Sequence, residues 1–266
     1  MQLVRITVEE NVATLTLNDP KKMNALSIPM AEALVSALKQ VWKDPQVCVV
    51  ILRGAEGKFC AGGDLTSMKQ RVEAYREGRE PESDTRVNMW KLNEVVLTIR
   101  DMPKPVIAWI EGAAAGGGMS LALACDFSLA EASAKMVFAF SGIALAPDMG
   151  ASVMAPPRIG FTRATELFMT GQRFSGQEAA QWGLITSAWS SEELPEAVSH
   201  LARQLARGPA QTYAEIKLRL NQTMFAELYY GMVQEVESAA RLTRTADHGE
   251  AVDAFLEKRV PRFTGK

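Results

Sequence analysis

Histidine and cysteine are scarce in this chain of 266 residues. The two histidines, His200 and His248, lie in segments with helical spacing near the C-terminus, and we expect both to face solvent. A Ser–His–Asp triad therefore has little support. Three scattered cysteines without metal-ligand spacing predict no metal site. Cys48 and Cys125 sit among apolar residues, so we expect buried free thiols, as in a reducing compartment.

The chain also lacks long apolar runs and a strong net charge. No apolar run approaches the roughly 20 residues that span a bilayer, and the first ten residues alternate apolar and polar types, unlike a signal peptide. A formal net charge of −2 creates no general field for nucleic acid or an anionic membrane. A local basic patch could still meet the phosphates of a small ligand. We therefore expect a cytoplasmic protein whose partners include neither nucleic acid nor membrane.

Short apolar runs alternate with segments of helical spacing over the first two-thirds of the chain. The predicted strands are Leu3–Val8, Val12–Leu17, Val47–Leu52, Val106–Ile110, Asp126–Ala130 and Met136–Phe138, and the predicted helices include Pro29–Trp42, Val87–Ile99 and Met119–Ala124. This alternation predicts an α/β fold with a largely parallel sheet.

Beyond Pro147 the pattern is helical. After helices at Thr162–Thr170 and Ser175–Trp182, the predicted helices are Pro195–Ala206, Pro209–Gln222, Glu227–Arg244 and Gly249–Lys258. With no predicted strands to cover, we expect these helices to pack over a site or against another subunit. The polar stretch Lys69–Arg86 lacks a good apolar stripe, and two interpretations stay open for it: a mobile flap near a site, or an exposed helix or loop.

Two glycine-containing loops follow buried strands. The first runs from Phe59 to Leu65, and the second, from Gly112 to Gly118, ends at a helix start. A helix N-terminus leaves amide donors unsatisfied and carries a positive partial charge. Two such loops at the carboxyl ends of strands could aim two backbone N–H groups at one oxygen, as in an oxyanion hole.

Glycine runs alone are weak signals, and each loop could also be a tight turn. The spacing of the second loop does not match a dinucleotide-binding fingerprint. A phosphate-binding loop would need a lysine and a hydroxyl residue at its end, where this chain has Met119.

Several motifs together resemble those of the crotonase (enoyl-CoA hydratase/isomerase) superfamily, and they occur in the same order and with about the same spacing as in that superfamily. They are Asn24–Leu26, Phe59–Leu65, Pro103–Ala108, Gly112–Gly118, Cys125-Asp126 and Ala179–Ile185. The resemblance extends over essentially the whole chain. It implies a spiral of ββα units over residues 1–200 that carries the acyl-CoA site, and a C-terminal helical trimerisation region over residues 201–266.

The resemblance also implies roles for individual residues. Backbone N–H groups of Gly63 and Gly117 would bind the thioester oxygen. Coenzyme A, as part of the substrate, would lie across two segments that contain Lys22, Ala25, Leu26, Ala61, Asp64 and Leu65. No metal or redox cofactor follows from the resemblance. Self-association as a homotrimer or hexamer does, and apolar stripes in the last helices (Ile216, Leu218, Leu220; Leu228, Met232, Val236) favour it.

The two glutamates that enoyl-CoA hydratases use are absent. Ser120 and Phe140 stand at the matching positions, and neither can act as a carboxylate acid or base. Phe140 is a candidate to line the acyl group, with Phe138 two residues before it; core packing is the default interpretation for both rings. Ser120 could contact substrate, but capping and packing is the favoured interpretation.

Residues 139–148 resemble the branch of the superfamily that includes 3-enoyl-CoA isomerases and the phenylacetate-pathway isomerase. In that branch a carboxylate directly follows a proline, which is Pro147 in this chain. Asp148 occupies that place, and one base suffices for an isomerase. A turn or cap role for Asp148 is the alternative. The predicted function is therefore an enoyl-CoA isomerase that shifts a double bond from the 3- to the 2-position through a dienolate.

Other functions stay open beside this one: hydration or another crotonase reaction, and a non-catalytic crotonase-fold protein. A chlorobenzoyl-CoA dehalogenase places a nucleophilic aspartate at the same position, but it also uses a histidine in the helix before the Pro-Lys-Pro stretch. Val87–Ile99 contains none.

Overall fold

The structure, a computed structural model, describes residues 2–266 and contains nine strands and twelve α-helices over that range. The strands are β1 Val4–Glu9, β2 Val12–Leu17, β3 Val49–Gly54, β4 Val106–Ile110, β5 Ala113–Ala115, β6 Phe127–Glu131, β7 Lys135–Val137, β8 Arg173–Ser175 and β9 Ser187–Trp189. The helices are α1 Ile28–Lys43, α2 Leu65–Arg76, α3 Thr85–Asp101, α4 Gly117–Ala124, α5 Ala151–Met154, α6 Pro156–Ile159, α7 Phe161–Thr170, α8 Gly176–Gln181, α9 Leu194–Ala206, α10 Ala210–Met224, α11 Leu228–Leu242 and α12 Ala246–Leu256.

The larger sheet has six strands in the order β1-β2-β3-β4-β6-β9. The hairpin of β1 and β2 is antiparallel, and every later pairing in this sheet is parallel. The predicted α/β fold with a largely parallel sheet is thus confirmed. Because parallel strands are joined by crossovers, their carboxyl ends meet at one edge, and the loops that follow β3 and β4 start there.

A second, smaller sheet joins β5, β7 and β8. Two of the short strands, β8 and β9, lie beyond Pro147, where only helices were predicted, so that prediction was wrong. Each has three residues, too few to show the alternation that marks a strand in sequence. β9 exists because it pairs with β6 along the edge of the larger sheet.

The two faces of the larger sheet are covered by different helices. On one face the main core includes apolar residues of α1 and α3. On the other, α9 packs Leu194, Val198, Ala202 and Leu205 against side chains of β3, β4 and β6. The expectation that the late helices have no strands to cover is therefore wrong for α9.

The polar stretch Lys69–Arg86 contains most of α2 and the first residues of α3. Asp64 caps α2 by accepting a hydrogen bond from the Thr66 amide, and Val72 and Ala74 are buried. Lys69 and Arg76 reach Asp253 on α12, at 2.6 and 2.7 Å. Of the two interpretations of this stretch, the structure shows the helix for Leu65–Arg76, and Val72 packs beside Gly249 of α12.

Histidine burial differs from the prediction. His200 is exposed as expected, but His248 is fully buried, and its Nδ1 lies 2.8 Å from the carbonyl oxygen of Ile143. The prediction was wrong for His248 because α12 packs on α2 and on the turn Ser141–Ile143, which places the His248 side of the helix inside.

The cysteines follow the prediction in part. Cys125 is a buried free thiol, as is Cys60, and burial raises the pKa of both to about 12. Cys48 is only half-buried. Across residues 2–266, the structure has no helix that is both long and apolar enough to cross a membrane.

The apolar stripes of the last helices have two different environments. Leu228, Met232 and Val236 on α11 are buried within the chain itself, so this stripe needs no other subunit. On α10, by contrast, the exposed fractions of Ile216, Leu218 and Leu220 are 51, 42 and 52%. Only the α10 stripe is left for a partner.

A buried charge cluster fixes α10 to the sheet. Asp126, just before β6, accepts hydrogen bonds from Lys217 at 2.8 Å, from Arg100 at 3.1 Å and from the Val106 amide at 2.9 Å. Lys217 also donates to the carbonyl oxygens of Ile99 and Lys104. Burial lowers the pKa of Lys217, and the Asp126 charge opposes that shift.

Asp126→Asn should destabilise the protein by roughly 3–5 kcal/mol, because it leaves two buried cations without their counter-charge. The measurement is the free energy of unfolding in urea, or the shift in Tm if unfolding is irreversible. Glu94→Gln is the matched control, since it breaks an exposed pair with Lys39 and should cost less than about 1 kcal/mol. Equal effects of the two substitutions would contradict a structural role for the cluster.

Candidate active site

The two glycine loops predicted from the sequence lie side by side. Cys60 and Ala114 form an isolated parallel bridge, with hydrogen bonds from Cys60 N to Ala113 O and from Ala115 N to Cys60 O, both 3.1 Å. Gly62 has φ +85°, and a Cβ atom there would lie 2.5 Å from Ala115 O. Only glycine fits that position, because the conformation and the close approach both exclude a side chain.

The amide groups of Gly63 and Gly117 lie on these adjoining loops. A Cβ atom on the neighbouring Gly62 would be 3.2 Å from Gly117 N. Within residues 2–266, neither amide donates a hydrogen bond to another protein group. Gly117 is the first residue of α4, so its N–H lies at the positive end of the helix. The structure thus leaves both predicted donors unpaired, and their action on one oxygen stays a prediction.

Asp148 lies next to the start of α4. A Cβ atom on Gly117 would be 3.9 Å from Asp148 Oδ1, 3.4 Å from Leu26 Cδ1 and 3.1 Å from Met149 Sδ. The Ser120 hydroxyl, fully buried on α4, donates to the Asp148 backbone oxygen at 2.9 Å. Ser120 therefore packs and holds the segment that carries Asp148, as the favoured interpretation had it.

The Asp148 residue is half-buried, and its surroundings disfavour the ionised carboxylate. Its Oδ1 is closed off from solvent and has no hydrogen-bond partner among residues 2–266. Burial, and to a lesser degree the nearby Glu235, raise the pKa of Asp148 to about 8. The Asp148 backbone begins a turn, since Ala151 N donates to the Asp148 carbonyl oxygen at 3.1 Å, but the carboxylate caps nothing, because α5, which begins at Ala151, has no side-chain cap. Such a carboxylate can take up and return a proton near neutral pH.

Glu235 is a second buried carboxylate near Asp148, and the sequence analysis missed it. Its Oε2 accepts from Gly150 N at 2.7 Å, and its Oε1 accepts from Ser152 N at 3.1 Å and Ser152 Oγ at 2.6 Å. The available signal was its spacing, since Glu235 is three residues after Met232 and shares the apolar side of α11.

Phe140 and Phe138 belong to a buried aromatic cluster. The Phe138 ring lies 4.7 Å from Phe168 and 6.5 Å from Phe140, between ring centroids. The structure shows core packing, which was the default interpretation for both rings. Phe140 also adjoins the second glycine loop, because its Cε1 lies 4.0 Å from where a Cβ on Gly116 would be. The ring therefore forms an apolar wall beside α4.

The segments predicted to hold coenzyme A are paired with each other. Leu26 N donates to Gly62 O at 2.7 Å, and Ala61 N donates to Met23 O at 3.1 Å. These bonds bring together the predicted residues Lys22, Ala25, Leu26, Ala61, Asp64 and Leu65. Contact of these residues with coenzyme A stays a prediction.

Lys22 and Asp64 form an ion pair across these two segments, at 2.9 Å. Burial alone would raise the pKa of Asp64, but hydrogen bonds from Lys22, Ser67 and the Thr66 amide hold it below its usual range. The pair ties the start of α2 to the Lys22 segment, while about half of the lysine side chain remains exposed.

Comparisons with known proteins agree with this arrangement. The family model for enoyl-CoA hydratase/isomerase matches residues 7–266. The chain is 37% identical to 1,2-epoxyphenylacetyl-CoA isomerase of Escherichia coli K12 over the full length of both proteins. It is 34% identical to trans-2-decenoyl-[acyl-carrier-protein] isomerase of Streptococcus mutans, covering 97% of each.

Solved structures give the same result. An enoyl-CoA hydratase from Mycobacterium avium subsp. paratuberculosis matches 98% of both chains with a TM-score of 0.88 and 30% sequence identity. The predicted crotonase fold is thereby confirmed, and the similarity to two isomerases agrees with the predicted branch. The chain belongs to the enoyl-CoA hydratase/isomerase (crotonase) family and is an acyl-CoA enzyme of that family.

Proposed function

We propose that the protein is an enoyl-CoA isomerase that converts a 3-enoyl-CoA into a 2-enoyl-CoA, with Asp148 as the single proton-transferring base. The observation that carries the proposal is the position of the Asp148 carboxylate, beside Gly117 at the start of α4 and without a hydrogen-bond partner for Oδ1 among residues 2–266. The similarity to two isomerases supports it.

The proposed reaction needs one proton acceptor and one oxyanion site. Asp148 removes a proton from the α-carbon, and the electron pair moves through the thioester carbonyl to give a dienolate. The amides of Gly63 and Gly117 donate to the developing oxyanion; one such donor is typically worth ~10²–10³ in rate. Asp148 then returns the proton to the γ-carbon, which leaves the double bond between the α- and β-carbons.

The raised pKa of Asp148 suits this transfer. An α-proton of a thioester is much less acidic than a carboxylic acid, so a base with a pKa of about 8 is better matched to it than an ordinary aspartate. The apolar wall at Phe140 excludes water from the dienolate, and thereby favours proton return over side reactions.

Hydration is the second candidate function, because the family includes hydratases and one of the similar solved structures is an enoyl-CoA hydratase. Adding water needs a base for the water and a proton donor for the α-carbon. Ser120 and Phe140 supply neither, and three donors already occupy the Glu235 carboxylate. A non-catalytic role would leave the unpaired Asp148 carboxylate and the two free amides without a use.

Asp148→Asn should lower kcat for double-bond migration by about 10²–10⁴-fold, because it removes the base while keeping the size of the side chain. Absorbance of the conjugated product, with 3-enoyl-CoA substrates of several chain lengths, measures the rate, and calorimetry measures acyl-CoA binding, which should persist. Glu192→Gln changes an exposed carboxylate after β9 and serves as the control. Equal rates for wild type and Asp148→Asn would exclude Asp148 as the base.

Hydration of short trans-2-enoyl-CoA substrates should be weak or absent, because Ser120 and Phe140 stand where hydratases have their two glutamates. Loss of the absorbance of crotonyl-CoA measures it. A wild-type turnover on the order of 10 s⁻¹, typical of ordinary enzymes, would show that the hydratase alternative is correct.

We also propose that the protein assembles as a homotrimer or hexamer through the exposed stripe of α10. Ile216→Glu with Leu220→Glu should then lower the mass measured by light scattering, since charges in an apolar contact are costly. Val8→Glu, at an equally exposed apolar residue of β1, is the matched control. A wild-type monomer at micromolar concentration would contradict the proposal. The cytoplasmic location stays a prediction from the sequence.

A further inference from the structure

Asp148 lies at the start of a short turn that is held in place by α11, a helix far away in the sequence. The turn runs from Asp148 to Ala151, where Ala151 N donates to Asp148 O at 3.1 Å, and α5 follows. Gly150 adopts φ +79° at its centre. A Cβ on Gly150 would lie 2.7 Å from Leu228 Cδ1 and 3.0 Å from Met232 Cε, so α11 packs closely on this turn.

The Glu235 carboxylate is the polar contact between α11 and the turn. It accepts three hydrogen bonds, from Gly150 N, Ser152 N and Ser152 Oγ. Both oxygens of the Glu235 carboxylate accept hydrogen bonds, which fits the ionised form. In the protonated form, one oxygen would carry a hydrogen that points at a donor. Burial raises the pKa of Glu235, and these three hydrogen bonds oppose the rise.

We propose that Glu235 is a positioning residue for Asp148: its carboxylate fixes the turn that carries the Asp148 side chain and places a second negative charge near it. The proposal rests on the proposed isomerase function for its kinetic consequence, but the contact itself does not. Glu235 does not act as a second acid or base, because its oxygens are occupied by the turn.

Few other charges face Asp148. The helices α4 and α5 and the segments 24–27 and 138–147 contain no ionisable side chain. On α11, Glu237 and Arg241 are exposed, and Glu237 pairs with Arg86. His248 on α12 lies against Ile143, and burial lowers its pKa, which favours the neutral ring. Glu235 is therefore the charge that acts on Asp148 most directly.

The sign of the effect follows from this geometry. Glu235 disfavours the Asp148 anion, so replacing it by a neutral residue should lower the pKa of Asp148. The active form of the base is the anion, so kcat/KM should rise with pH through this pKa. In Glu235→Gln the midpoint of that rise should move down by roughly one pH unit, as a neighbouring like charge typically produces.

The first experiment measures Asp148 directly, without turnover. Infrared difference spectra over a pH series follow the band of the protonated carboxyl group, which is assigned by its loss in Asp148→Asn. The band should titrate at lower pH in Glu235→Gln than in wild type. In Glu235→Asp, which keeps the charge, its midpoint should return towards that of wild type. An unchanged midpoint in Glu235→Gln overturns the proposal.

The second experiment is the pH profile of kcat/KM and kcat for double-bond migration. Glu235→Gln should shift the profile and lower kcat with little change in KM, whereas Glu235→Asp should lower kcat without the shift. Glu237→Gln, two residues along α11 and exposed, should match wild type in both. Loss of activity in Glu235→Gln with an unshifted profile means a merely structural role. If Glu235→Gln shifts the infrared midpoint of Asp148 but the wild-type protein moves no double bond, the isomerase proposal fails while the positioning role stands.

Discussion

The contact between two backbone segments, one after β3 and one after β4, determines the geometry of the rest of the site. At Gly62 and Gly118 a side chain would meet the backbone of the opposite segment: Ala115 O for Gly62, and Cys60 O for Gly118. Because the two segments hydrogen-bond to each other directly, the start of α4 has a fixed position relative to the Gly63 amide. A preorganised pair of donors requires this, since donors that must move lose much of their effect on the transition state.

A positive helix end and two negative side chains then define the electrostatics of the site. The N-terminus of α4 favours negative charge where a thioester oxygen would develop it. Asp148, beside it, is kept from easy ionisation by burial and by Glu235. In the proposed mechanism this arrangement separates the oxyanion from the proton carrier, so that a single carboxylate in apolar surroundings serves both ends of an allylic proton shift.

The C-terminal helices complete the site rather than only enclosing it. Glu235 on α11 reaches the turn after Asp148, and His248 on α12 contacts the Ile143 carbonyl. These contacts join residues that are 85 and 105 positions apart in the chain. α10, which precedes both helices in the chain, is held in place by the ion pairs of Asp126 with Lys217 and Arg100.

The resemblance to the isomerase branch pointed to Asp148 as the candidate base. The sequence by itself determined the parallel sheet, most of the helices and the two glycine loops. These features are local: β-branched apolar runs, helical spacing and glycine at close approaches leave a signal within a few residues. The capping box of Ser175 and Glu178 at the start of α8 is a feature of this local kind.

The tertiary structure alone decided β8, β9, the burial of His248 and the burial of Glu235. A strand of three residues is too short for a pattern, and β9 is ordered by its neighbour β6. A polar residue on an amphipathic helix has the same local sequence whether it faces solvent or a buried donor. Glu235 is buried because its carboxylate accepts hydrogen bonds from the buried amides of Gly150 and Ser152, which need an acceptor. These residues are far from Glu235 in sequence, and only long-range packing brings them together.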